Sequence, residues 1–238
     1  MSTIALAILC KTPRPGASKT RLSPPLAPEE CAALSACFIR DLARTLANLD
    51  AEGRARAYAV YTPVGSEAAL RALLPEGVGL VPQGEGDLGA RLDRGVADLL
   101  AAGHGGAILI NSDSPTLPPP LLREAVAALE EGAPVVVGPA LDGGYTFIGM
   151  TSREPRLFAD IAWSTETVLG ETLARAEAIG LPVRVLAPWY DVDDAATYAL
   201  LEDDLAGHPL PAALRHAGAP APATAAFLAA RRAGREAA

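Results

Sequence analysis

No acidic residue precedes Glu29, although Asp and Glu outnumber Lys and Arg by 28 to 20 over the 238 residues and the formal net charge is −8. Four cations fall inside that gap: Lys11, Arg14, Lys19 and Arg21. Long apolar runs are missing too. No stretch approaches the roughly 20 residues needed to span a bilayer, so membrane insertion is not expected. The opening Met-Ser-Thr-Ile-Ala has no basic residue ahead of its short apolar run and does not read as a secretory signal. Cysteine is scarce, with Cys10, Cys31 and Cys37 as the three examples. An odd number without zinc spacing excludes a fully paired disulfide framework, and free buried thiols in a reducing cytoplasm are expected. The acidic balance argues against nucleic acid or an acidic membrane as the main partner. A basic loop in such a chain points instead to a small anionic ligand. His104, His208 and His216 are scattered, and no role is expected of them.

What is present is a globular composition: half the residues are hydrophobic and a fifth are charged. A chain of this length can remove about 70% of its unfolded surface from water. Strand and helix patterns alternate. Strands are predicted at 4–9, 57–61, 78–81, 107–110, 134–138, 145–150 and 183–186. Helices are predicted at 28–49, 67–74, from Asp87 to Leu100, and at 119–129, 166–179 and 195–205. This order implies a mostly parallel sheet covered by helices on both faces. The link between the strands ending at Gly138 and starting at Tyr145 is too short for a helical crossover, so one strand is expected to run antiparallel. Residues 1–205 read as one domain. Residues 206–238 form an Ala/Pro/Arg-rich tail, in which Phe227 and Leu228 either dock a short helix or fray.

Six stretches carry candidate chemistry. Lys11–Leu22 follows the first strand, where phosphates commonly bind in α/β chains. Its Pro13, Pro15 and Gly16 bend the loop so that backbone amides can face a ligand. Asp113 lies just past a central strand, and Pro115 turns the chain sharply behind it. A carboxylate there suits Mg²⁺ or Mn²⁺ held against a diphosphate, or else a helix cap. In Asp191-Val-Asp193 the two carboxylates point to one side of an extended chain and could share a cation, while Asp194 can cap the next helix. Asp142, Gly143, Gly144 and Tyr145 form either a tight turn or a substrate contact, with Asp142 as a candidate base. Asp87 and Gly89 open a helix after a Gly-rich approach, an anion site or simply a cap. Trp163 either stacks on a base or sugar or anchors the core.

Together these pieces resemble, from about Ile4 to Leu205, a bacterial family of glycosyltransferases provisionally placed in the nucleotide-diphospho-sugar transferase superfamily. The matching pieces are Lys11–Leu22, Gly86–Arg91, Asp113–Pro115, Gly138–Tyr145, Trp163–Thr165 and Asp191–Asp193. Asn111 stands where the family often has Gly, a difference expected to be neutral. The resemblance implies a GT-A-like, Rossmann-type three-layer sandwich. It also implies a divalent metal, Mg²⁺ or Mn²⁺, on Asp113, with Asp191 and Asp193 joining it. Lys11, Lys19 and Arg21 are similar to the phosphate-handling cations of 2-phospholactate guanylyltransferases. Catalytic roles are expected for Asp113, Asp142 and Asp193. Nucleotide or phosphate contacts are expected from Lys11, Arg14, Gly16, Lys19, Arg21, Asp87 and Gly89. Substrate contacts are expected from Gly143, Gly144, Tyr145 and Trp163. The implied activity is metal-dependent glycosyl transfer from a nucleotide-diphosphate sugar to a small-molecule acceptor. The alternatives are nucleotidylyl transfer from an NTP to a phosphorylated small molecule, and a non-catalytic nucleotide-binding module. A homodimer rests on base rates alone.

Overall fold

Ile4–Lys11 is apolar at nearly every position, as a strand covered on both faces must be, and it forms the central strand β1. In the computed structural model, which describes residues 3–236, β1 is followed by a single 3-10 turn at Thr20–Leu22 and then by alternating elements. These are α1 (Pro28–Ala51), β2 (Ala55–Thr62), α2 (Glu67–Arg71), β3 (Gly79–Pro82), α3 (Leu88–Ala101) and β4 (Gly106–Asn111). Next come α4 (Pro119–Glu130), β5 (Val135–Pro139), β6 (Tyr145–Met150), a second 3-10 turn (Pro155–Phe158), α5 (Val168–Ala178), β7 (Val183–Val185), α6 (Ala195–Ala206) and α7 (Pro222–Glu236).

The sheet order is β3-β2-β1-β4-β6-β5-β7. All neighbours are parallel except β6, which runs antiparallel between β4 and β5. The short 140–144 link reverses the chain, as its length requires. Alternate side chains of β1 feed two cores. Ile4, Leu6, Ile8 and Cys10 meet α1 and α4 on one face, while Ala5 and Ala7 meet α3 on the other. The small side chains on that second face let α3 approach closely, as does Gly95, where an added Cβ would lie 3.1 Å from Leu109. All three cysteines are buried and free.

The chain beyond Ala206 packs into the first core. Leu214 and Leu228 are buried with α1 and α6. Asp41, 1% exposed in the middle of α1, accepts hydrogen bonds from the backbone N–H groups of Ala223 and Thr224 at 3.0 and 2.8 Å and from the Thr224 hydroxyl at 2.7 Å. A buried carboxylate is tolerated only with such partners. It satisfies the amides at the start of α7 that no helical carbonyl can reach. Replacing Asp41 with Ala strands these donors and is expected to lower stability by about 2–3 kcal/mol. Urea denaturation checks this; a loss below about 0.5 kcal/mol would show that α7 is held by its apolar contacts alone.

Candidate active site

In an open parallel sheet, a crevice forms where successive connections leave in opposite directions. Here that point lies between β1 and β4: β1 continues to β2 on one side, and β4 lies on the other. Lys11 ends β1, the loop after it carries Arg14, Lys19 and Arg21, and the loop after β4 carries Asp113. A cleft of about 270 Å³ opens between them, lined in part by Lys11, Ser18, Lys19, Arg21, Ser35 and Asp113, and closed by Asp193.

Lys19 is the centre of the cleft. Its ammonium lies 2.7 Å from Asp113 Oδ1 and 2.9 Å from Asp193 Oδ1, and it donates to the Val192 carbonyl at 2.7 Å. The side chain is only 6% exposed. Burial works to lower its pKa, but the charges and hydrogen bonds of Asp113 and Asp193 outweigh burial and hold the ammonium above its usual range. Lys19 also sits in the left-handed region, with φ 49° and ψ 41°. That conformation costs a non-glycine residue about 1–2 kcal/mol, so the ion pairs and the surrounding turn must over-determine it. Arg21 is different: it is 70% exposed and reaches Asp193 only at 3.8 Å.

Asp113 is aimed by its own turn. The Asn111 side-chain oxygen accepts from the Asp113 N–H at 3.3 Å and from the Ser114 hydroxyl at 3.0 Å. Asn111, expected to be neutral, therefore shapes the turn, which a glycine could not do. Behind it, the Val192 N–H donates to the Asp113 carbonyl at 3.0 Å. This bond splices the Asp191–Asp193 segment to the β4 loop.

A second cluster adjoins Lys19. Asp142, Asp191 and Asp193 each bring a carboxylate oxygen to within 4.8 Å of the others. The resemblance put a metal on Asp113 with Asp191 and Asp193; the structure groups Asp142 with those two and pairs Asp113 with Lys19. Asp142 is exposed and is oriented by the Gly144 N–H, which donates to its Oδ1 at 2.8 Å. Asp191 is half-buried. Burial, then the charges of Asp142, Asp193 and Asp113, push its pKa up to about 7. Four carboxylates thus meet two cations, and the surplus negative charge favours the protonated form of Asp191. Hard oxygen donors this close together could hold a divalent cation of the Mg²⁺ or Mn²⁺ kind.

Other expected site residues lie elsewhere at the same end of the sheet. Arg14 and Gly16 are exposed in the first loop, with Gly16 at φ 71°. Asp87 caps α3 by accepting from the Ala90 N–H at 2.8 Å. Trp163 packs against both Gly89 and Tyr145. A Cβ on Gly89 would lie 3.0 Å from the Trp163 ring, and Trp163 meets Tyr145 edge-on at 6.5 Å. Gly143, at φ 90°, admits the Glu166 backbone, whose carbonyl oxygen would clash with an added Cβ. None of these lines the cleft beside Lys19. Ser35 was not anticipated there, although its signal was legible. It is a serine in a helical stripe otherwise filled by Cys31, Phe38 and Leu42.

The sheet order, the helices on both faces and the cleft at the β1/β4 crossover define a GT-A-like nucleotide-diphospho-sugar transferase fold. The chain belongs to the family described as uncharacterized protein conserved in bacteria (DUF2064), whose profile matches residues 45–165. That range holds Asp87, Asp113 and Asp142 but not the cationic loop or Asp191 and Asp193. A crystal structure of a protein from Desulfovibrio desulfuricans G20, provisionally named a nucleotide-diphospho-sugar transferase, is similar over 98% of this chain and 96% of its own, with 27% identity and a TM-score of 0.81. The fold is shared more distantly with a CMP:2-keto-3-deoxy-manno-octonic acid synthetase solved with CTP. That match has 13% identity and a TM-score of 0.55, over 87% of this chain and 99% of that one. A cytidylyltransferase from Leptospira borgpetersenii matches at 10% identity and a TM-score of 0.52, over 99% and 96%. No curated protein matches the chain.

The raised Asp191 pKa has a signed consequence. The folded state holds a proton that the unfolded carboxylate releases near pH 3.8. The contribution of Asp191 to the stability of the metal-free protein therefore falls as pH rises from about 4 to about 7, then levels off. Asp191→Asn removes this slope. In the presence of a chelator, the thermal midpoint of the variant is expected to gain on the parent between pH 4 and pH 8. A constant difference across that range would mean that Asp191 is ionised throughout.

Proposed function

We propose that the protein is a divalent-metal-dependent glycosyltransferase that takes its sugar from a nucleotide-diphosphate sugar and passes it to a small-molecule acceptor. The observation that carries this reading is the gathering of Lys11, Lys19, Arg21, Asp113 and Asp193 around one cleft, with Asp142 and Asp191 beside it. The provisional name of the 27% identical relative agrees with it. Asp142, Asp191 and Asp193 would hold the ion, and the surplus of carboxylates over cations is the feature that such an ion would balance. When bound, the ion neutralises charge on the diphosphate.

The chain's own residues do the rest. Lys11 and Arg21, at the open side of the cleft, bind the phosphate oxygens and stabilise the charge that grows as the diphosphate leaves. Lys19 fixes Asp113 and Asp193 relative to each other and offers its remaining positive field to the same oxygens. The acceptor oxygen attacks the anomeric carbon, the bond from that carbon to the diphosphate oxygen breaks, and the nucleoside diphosphate leaves with the electron pair. The acceptor's proton goes to a carboxylate of the cluster, of which the exposed Asp142 is the most accessible.

One observation favours a second reading, nucleotidylyl transfer with release of pyrophosphate. Lys11, Lys19 and Arg21 all line the cleft and Arg14 lies exposed in the same loop, a density of positive charge that suits a triphosphate better than a diphosphate. The same site chemistry serves both reactions. Incubation with Mg²⁺ or Mn²⁺ and a panel of nucleotide sugars and NTPs separates them. Release of a nucleoside diphosphate with a modified acceptor is expected, and pyrophosphate release would replace this reading with the second. No turnover, with nucleotide binding that survives a chelator, would leave a binding module. Arg21→Ala is expected to weaken nucleotide binding by about 1.5 kcal/mol, roughly tenfold, with no change in thermal midpoint. Unchanged binding would remove the loop from the site.

A further inference from the structure

Residues 207–236 lie outside the stretch matched by the family profile, yet they touch the loops of the site from behind. The strongest contact is made by Arg231 of α7. Its guanidinium donates to the Pro25 carbonyl at 2.7 Å and to Glu30 Oε1 at 3.0 Å, and its side chain is only 12% exposed. The other Glu30 oxygen accepts from the Ala27 N–H at 2.8 Å. Arg231 thus clamps residues 25–30, which run from the end of the cationic loop into the first turn of α1.

That segment is tied to Lys19 by a short ladder. The Leu26 N–H donates to the Leu22 carbonyl at 2.9 Å, and the Leu22 N–H donates to the Lys19 carbonyl at 3.0 Å. Leu22 and Leu26 are themselves buried, at 0% and 2% exposure. Lys19, at the end of the ladder, holds a left-handed backbone conformation that it would not keep without support. Its ammonium must nevertheless meet three oxygens at once.

We infer that Arg231 is a positioning residue for the site: through Pro25 and the Leu26–Leu22–Lys19 ladder, it holds the turn that aims the Lys19 ammonium between Asp113 and Asp193. The C-terminal helix is on this account a working part of the site. This rests on the functional reading above only insofar as Lys19 serves ligand binding; the mechanical link to Lys19 stands separately.

The test can keep the two apart because the chain has only two lysines, Lys11 and Lys19. In lysine-labelled protein, the buried Lys19 ammonium should give a proton–nitrogen NMR signal protected from solvent exchange, while exposed Lys11 exchanges away. Arg231→Met is expected to broaden or abolish the Lys19 signal. It should also weaken binding of Mg²⁺–pyrophosphate, a probe common to both transfer reactions, by about fivefold. Arg231→Lys should restore part of both. Val126→Ala, a truncation in the first core on α4 that leaves α7 in place, serves as the stability control and should leave the Lys19 signal unchanged. An unchanged Lys19 signal in Arg231→Met overturns the inference, as does an equal loss in Val126→Ala. If the signal responds as expected but the parent protein binds no Mg²⁺–pyrophosphate, the brace stands and the functional reading falls.

Discussion

One buried ammonium holds the candidate site together. Lys19 is the point where the loop after β1, the loop after β4 and the segment before α6 meet, and it meets them through charge rather than packing. Two carboxylates that would repel each other are made neighbours by the cation between them. Removing one member of a buried charge group of this kind is costly, because the others stay buried without a counter-charge. The arrangement also leaves Asp193 shared between the ammonium and the acidic cluster, so the two halves of the site cannot move independently.

The surroundings are built to tolerate this concentration of charge. Phe38 closes the floor under the ammonium, with its ring centroid 5.8 Å from Nζ. Asn111 and Ser114 shape the turn that presents Asp113, and the Val192 amide joins that turn to the last acidic segment. Behind them, the Tyr190 hydroxyl bridges Thr116 and Asp204 at 2.9 and 2.7 Å. These are buried polar contacts with satisfied partners, the condition under which such networks fix one geometry. The apolar sheet supplies the rigid platform, and the polar loops at one end carry the chemistry.

Much of this was legible in the sequence because the signals were local. Apolar runs of strand length gave the strands, and the six-residue gap before Tyr145 gave the antiparallel reversal of β6. Asp87 and Asp194 were readable as helix caps, and both cap in the structure. What was not legible depends on contacts far apart in the chain. No spacing rule indicates that Gly143 is small because the Glu166 backbone passes over it, or that Gly89 makes room for Trp163. The grouping of Asp142 with Asp191 and Asp193, and the diversion of Asp113 to Lys19, follow from the β5–β6 turn folding back beside the chain before α6. The tail read as either docked or frayed because its partner, Asp41, lies 182 residues away from Ala223. The local signals also included both lysines of an arginine-rich chain, which fall at the end of β1 and in the loop after it.

The most direct test of the account is a crystal structure of the protein soaked with Mn²⁺ and a nucleoside diphosphate, with the ion located by its anomalous signal. One Mn²⁺ is expected among Asp142, Asp191 and Asp193, with the diphosphate beside it against Lys11, Lys19 and Arg21. A nucleotide bound away from Lys19 and Asp113, or an ion that leaves the acidic cluster empty, would contradict it.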